Sequence, residues 1–149
     1  MSKPKPHSSS KVEIYGASVD TNLELPLMPF GISAGFPSPA LDFLDLTIDL
    51  NKYIVKRPVS TFYGRVKGES MKEAGINDDD LLVIDKSIEP VNGKIAVCYI
   101  DGEFTLKRIK LDQTGCWLMP ANDDYKPIPV TENNDLRIWG IVTHVIKAL

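Results

Sequence analysis

Lys94-Ile95-Ala96-Val97-Cys98-Tyr99-Ile100-Asp101-Gly102-Glu103-Phe104-Thr105-Leu106-Lys107-Arg108-Ile109-Lys110-Leu111 is the stretch whose reading decides the fold. Two runs rich in β-branched and aromatic residues flank Asp101-Gly102. Asp-Gly readily supplies the positive φ angles of a two-residue hairpin turn. Strands are therefore predicted over 94–100 and 103–111. Working outward, the same reading gives strands at 61–67, 81–85, 117–119 and 136–147. Turn signals stand at Asn77-Asp78-Asp79-Asp80 and Val91-Asn92-Gly93. Many short strands at close spacing predict a mainly β fold: a compact, strongly bent sheet or partly open barrel with one or two short helices.

The region before Ser60 reads differently. Residues 1–10 are dominated by Pro, Ser and Lys, with nothing to bury, and are expected to be disordered. Residues 12–34 carry apolar side chains without sustained periodicity, and Pro26 and Pro29 break any helix there. This predicts an extended N-terminal arm able to lie against a folded body. Residues 40–50 read as a short helix. Leu41, Leu44 and Ile48 fall at i, i+3 and i+7 between Asp42, Asp45 and Asp49, with Pro39 near the start.

Composition bounds the function. At 149 residues and 43% hydrophobic, the chain is one domain with a tail and has enough apolar residues for a core. A net charge of −3 argues against a surface built to neutralise DNA phosphates. Cys98 lies within an apolar run, and neither it nor Cys116 has the spacing of a disulfide framework or zinc site. His7 and His144 have no evident ligand companions, so neither metal nor cofactor is expected. The N-terminus has charge but no apolar core of a signal peptide, and no run approaches a membrane span. The expected location is the cytoplasm.

Three features carry chemistry. Ser70 sits in Gly68-Glu69-Ser70-Met71, after a predicted strand. Ser70-Met71-Lys72-Glu73 fits a helix capping box, in which the hydroxyl satisfies a free backbone N–H. The same strand-to-helix turn would also expose a nucleophile, with backbone N–H groups near Met71 available to an oxyanion and Gly68 permitting close approach. A serine hydroxyl needs a base. No His–Asp arrangement is apparent, which leaves lysine, and lysine acts as a base only when burial lowers its pKa. Lys107 shares a strand face with Thr105, Ile109 and Leu111. It either snorkels, its stem covering the core, or pairs with Ser70. Ala34-Gly35 is a small-residue bond at the junction of arm and body, suited to entering a tight cleft.

Several stretches resemble the UmuD family of LexA-like self-cleaving proteins, in order and at family spacing from about Gly31 onward. They are Gly35-Phe36-Pro37-Ser38-Pro39-Ala40, Ile48-Asp49-Leu50-Asn51, Gly68-Glu69-Ser70-Met71 and Gly75-Ile76. Asp80-Leu81-Leu82-Val83-Ile84-Asp85, Asp101-Gly102-Glu103-Phe104-Thr105-Leu106-Lys107 and Pro120-Ala121-Asn122-Asp123-Asp124-Tyr125-Lys126-Pro127-Ile128 continue the match. It runs on through Gly140-Ile141-Val142-Thr143-His144-Val145-Ile146-Lys147-Ala148. Asp78-Asp79-Asp80 stands where the family often has Asp-Gly-Asp, and residues 1–30 match poorly.

The resemblance implies a LexA C-terminal-like fold and a Ser/Lys dyad, with Ser70 as nucleophile, Lys107 as general base and backbone support from Met71 and Gly68. It implies self-cleavage at Ala34–Gly35, stimulated by a RecA filament on single-stranded DNA. An arm of residues 1–34 would be removed from a peptidase domain of 35–149. The product would form a homodimer and join a UmuC-like Y-family polymerase subunit in error-prone lesion bypass during the SOS response. The alternatives are a LexA-like regulator of damage-response genes, a signal-peptidase-like enzyme acting in trans, and a binding module in which Ser70 only caps a helix. The 33 residues before Ala34 contain Pro4, Pro6, Pro26 and Pro29 and cannot supply a helix-turn-helix. Sequence-specific DNA binding is therefore not expected.

Overall fold

The structure, a computed structural model, describes residues 11–17, 21–27, 46–132 and 136–149. The chain divides into two compact units, Met1–Ala17 with Arg57–Leu149, and Ser18–Lys56. The expected disorder of residues 1–10, the Ala34-Gly35 bond and the first part of the helix expected over 40–50 lie outside the described residues.

The larger unit is an eight-stranded antiparallel sheet. Its strands are β1 (Lys11–Gly16), β4 (Thr61–Lys67), β5 (Leu81–Asp85), β6 (Ile95–Ile100), β7 (Glu103–Asp112), β8 (Gly115–Met119), β9 (Ile128–Pro129) and β10 (Leu136–Ile146). They lie in the order β1-β4-β5-β10-β6-β7-β8-β9, and a bridge between Lys11 and Thr105 joins β1 to β7 as well. Six strands therefore close on themselves, the partly open barrel expected from the spacing of short strands. β10 is the longest strand and makes the curl possible. Its first part pairs with β6 and its second with β5, with register shifts between Ile138 and Gly140 and between Val142 and His144. Such bulges bend a strand and sharpen its twist.

The β6–β7 hairpin forms as the Asp-Gly turn demands. Ile100 pairs with Glu103, and both turn residues have positive φ, 49° for Asp101 and 87° for Gly102. Alternation along β6 sends Val97 into one hydrophobic cluster with Val66, Met71, Leu82, Ile84 and Leu106. It sends Ala96, Cys98 and Ile100 into another with Ile109, Leu118, Ile128 and Ile141. Both faces of the central hairpin are thus covered, and each fully buried aliphatic side chain contributes about 1.5–3 kcal/mol. Asp85, at the end of β5, fastens the start of this unit. It accepts hydrogen bonds from Arg57 Nη1 (2.8 Å), Ser60 Oγ (2.8 Å), and the Ser87 amide (2.8 Å) and hydroxyl (2.7 Å).

The smaller unit holds β2 (Glu24–Leu27) paired with β3 (Leu46–Asp49), followed by one short helix, α1 (Leu50–Ile54). This corrects the helix expected over 40–50: residues 46–49 are strand and the helix begins at Leu50. The turning point is Asp49, whose backbone is extended and whose carboxylate accepts the Asn51 N–H as an N-cap. Asp49 Oδ2 also accepts the Leu23 N–H at 3.2 Å, so the residue read as part of a helical face instead caps a helix and ties it to the chain before β2. β1, β2 and β9 are strands that the residue pattern did not announce. Among the described residues, no helix is long and apolar enough to cross a membrane.

Candidate active site

β4 leads directly to the Ser70 loop. Gly68 adopts φ 98°, a conformation open to glycine, and its N–H donates to Asp78 Oδ1 at 2.7 Å. Its contribution is therefore the turn itself. Glu69 to Lys72 form that turn, closed by the Lys72 N–H on the Glu69 carbonyl at 3.2 Å. A single 3₁₀ turn, Lys72–Ala74, follows, and its N-cap position is Met71. The capping-box reading of Ser70 therefore fails, because the helix it would cap is one turn long and starts a residue later. Met71 is fully buried and anchors the loop in the core.

β7 brings Lys107 to the same place. Lys107 is 1% exposed and Ser70 0%, which excludes the snorkelling lysine. Lys107 Nζ lies 3.4 Å from Ser70 Oγ, 3.0 Å from Thr105 Oγ1 and 3.1 Å from the Leu106 carbonyl oxygen. Ser70 Oγ is itself 3.5 Å from that carbonyl. Thr105 and Lys107 share a face because side chains two apart on a strand do so. Burial pushes the Lys107 pKa down to about 8, with the Cys98 sulfur pushing the other way. Cys98 is itself pushed up to about 12 by burial, so its thiol stays neutral and exerts little pull. A substantial neutral fraction of Lys107 near pH 8 is the consequence. The arrangement can take a proton from a serine hydroxyl without histidine. His144 sits exposed on β10, its Nδ1 2.9 Å from Thr143 Oγ1.

Asn122 was quoted in the sequence only as part of a family stretch. In the fold it holds the Ser70 loop. Its Nδ2 donates to the Glu69 carbonyl at 2.8 Å, while its Oδ1 accepts the Asp124 N–H at 3.0 Å, which fixes the amide orientation. Next to it, the Ala121 N–H meets Met71 Sδ at 3.3 Å and the Ala121 carbonyl accepts the Glu73 N–H at 2.8 Å. The residues before and after Ser70 are thus tied to one segment some 50 positions away. No local sequence signal could have found that link.

The family model described as Peptidase S24-like matches residues 26–143. Protein SamA of Salmonella typhimurium is 43% identical over 121 residues, covering 81% of this chain and 84% of that protein. Protein ImpA of Escherichia coli is 43% identical over 129 residues, covering 87% and 88%. Protein MucA of Escherichia coli is 40% identical over 136 residues, covering 90% and 92%. On this span and identity, the chain belongs to the Peptidase S24-like family and is UmuD-like within it.

Proposed function

We propose that this chain is a self-cleaving serine peptidase in which Ser70 is the nucleophile and Lys107 the general base, cutting Ala34–Gly35. The observation that carries the reading is the buried Lys107 amine 3.4 Å from the Ser70 hydroxyl, with its pKa brought down to about 8. Neutral Lys107 takes the Ser70 proton as Oγ attacks the Ala34 carbonyl carbon. The resulting ammonium returns that proton to the Gly35 nitrogen as the C–N bond breaks, leaving Ala34 esterified to Ser70. Water then attacks the ester, and Lys107 takes its proton and passes it to Ser70 Oγ as the ester C–O bond breaks, which restores Ser70 and neutral Lys107 and leaves an arm ending at the Ala34 carboxyl group. The Met71 backbone supports the oxyanion, and Gly68 shapes the turn that presents it. Because nucleophile and bond share one chain, high effective concentration replaces substrate affinity.

The same reading extends to regulation. A RecA filament on single-stranded DNA stimulates the cut. The product, residues 35–149, forms a homodimer and joins a UmuC-like polymerase subunit for mutagenic lesion bypass in the SOS response, within the cytoplasm. Membership of the family and the likeness to ImpA, MucA and SamA support this. The test is the intact mass of the protein before and after incubation with RecA, ATP and single-stranded DNA, with Ser70→Ala and Lys107→Ala alongside. A product beginning at Gly35, absent from both variants, is expected. An uncut chain at every pH would leave a folded binding module.

A further inference from the structure

We infer that the edge of β4 is a strand-binding site which β1 occupies in the uncut chain and which cleavage makes exchangeable. The inference rests on the cut at Ala34–Gly35 proposed above. β1 precedes that bond in the chain, yet it pairs antiparallel along the length of β4, from Lys11 opposite Lys67 to Gly16 opposite Phe62. The pairing is built for a particular occupant. Val12 is buried and Ile14 half-buried against the core, while Glu13 and Tyr15 point outward, with Tyr15 Oη donating to Glu13 Oε2 at 3.1 Å. Opposite Ile14 stands Gly64. A Cβ there would come within 2.6 Å of Val12 Cγ1 and 2.9 Å of Ile84 Cδ1, so its missing side chain is the notch into which Val12 packs.

Cutting the chain after β1 removes the covalent tether but none of these contacts. The arm fragment therefore stays docked non-covalently, by β1 on β4 and by β2 on β3, and the β1–β4 pairing no longer has a covalent tether behind it. When it leaves, β4 presents a row of unpaired N–H and C=O groups beside an apolar notch. That edge fits an extended segment with apolar residues two apart and charged or polar residues between them. Departure also removes the Lys11–Thr105 bridge, opening the ring beside the strand that carries Lys107.

The test uses the full chain carrying Ser70→Ala, with a site-specific protease sequence placed across residues 33–36. The nick then does not depend on the dyad, and failure of self-cleavage leaves the result intact. After nicking, gel filtration is expected to show the arm fragment co-eluting with the body, and hydrogen exchange to show the β4 amides still protected. Val12→Glu, checked by circular dichroism before nicking, should speed β4 exchange at least about tenfold, whereas retention of the fragment also draws on β2 and β3. A synthetic peptide of residues 9–18 should restore the protection, and a scrambled one should not. Gly64→Ala, which fills the notch, gives the same readout if Val12→Glu does not fold. Immediate loss of the arm from the parent chain, or equal β4 protection in the variants, would overturn the inference.

Discussion

Two buried ionisable groups in the larger unit are treated in opposite ways. Asp85 is 4% exposed, and burial alone would raise its pKa. Hydrogen bonds from the Ser87 hydroxyl and amide, the Ser60 hydroxyl and Arg57 outweigh that and hold it at about 2. Lys107 is 1% exposed and meets the neutral oxygens of Ser70, Thr105 and Leu106, and burial brings it down to about 8. Desolvation acts on both. The charge and number of the polar partners decide whether the ionised form survives. Asp85 is charged and architectural, fastening Arg57 and Ser60 to the end of β5. Lys107 is poised between its forms, which suits a proton acceptor.

The largest expected effect breaks the Lys107 side of the comparison. Lys107→Arg and Ser70→Ala should each slow self-cleavage by about 10⁴-fold or more, since a guanidinium cannot lose its proton and an alanine cannot attack. Rates by intact mass settle this, and appreciable cleavage in Lys107→Arg would dismiss the lysine base.

The pH dependence sharpens it. The neutral amine fraction grows about tenfold per pH unit below the pKa, so the rate should climb and then level off above about pH 8. Stability carries the same signature. Lys107 is lowered from 10.5, so between about pH 8 and 10.5 the unfolded chain binds more protons than the folded one, and stability rises with pH there. Asp85 contributes stability above its usual 3.8 that is lost as pH falls toward about 2. Denaturant titrations across both windows would show these slopes.

A smaller effect is expected at Asn122. Asn122→Ala removes the donor to the Glu69 carbonyl and should slow cleavage by about 10²-fold, the order of loss attached to a misplacement of roughly 1 Å. The pH midpoint of the rate should stay put, because Lys107 keeps its surroundings. A moved midpoint would mean that Asn122 works through the lysine instead.

The smallest effects concern stability, and they have opposite signs. Asp85→Ala leaves Arg57, Ser60 and Ser87 without their acceptor and should destabilise by about 2–3 kcal/mol. Lys107→Met should stabilise by about 1–2 kcal/mol, since an apolar side chain of similar length suits that burial better than an amine does. Thermal melts of the two variants test the pair together.

Except for the two-residue β9, the strands after Ser60 were legible because their pattern is local. Asp101-Gly102 dictated its turn, and β4 and β5 run over the residues expected, 61–67 and 81–85. The early strands were not legible. β2 is exposed throughout and contains Pro26, so no buried face writes an alternation into it, and its pairing with β3 supplies what propensity did not. Over 46–49 a helical spacing of apolar residues lost to strand pairing, with Asp49 turning the chain into the helix one residue later.

The sequence by itself determined the β class and the central hairpin and singled out Ser70 and Lys107 as candidates, because turn chemistry, period-two alternation and a family motif are all properties of neighbouring residues. Only the tertiary structure decided that Lys107 is buried rather than snorkelling, that Ser70 does not cap a helix, that Asn122 holds the Ser70 loop, and that β1 pairs with β4. Those facts depend on contacts between residues tens of positions apart, where the loss of water around an amine, the closure of a sheet and the tethering of a loop are set by which strands meet.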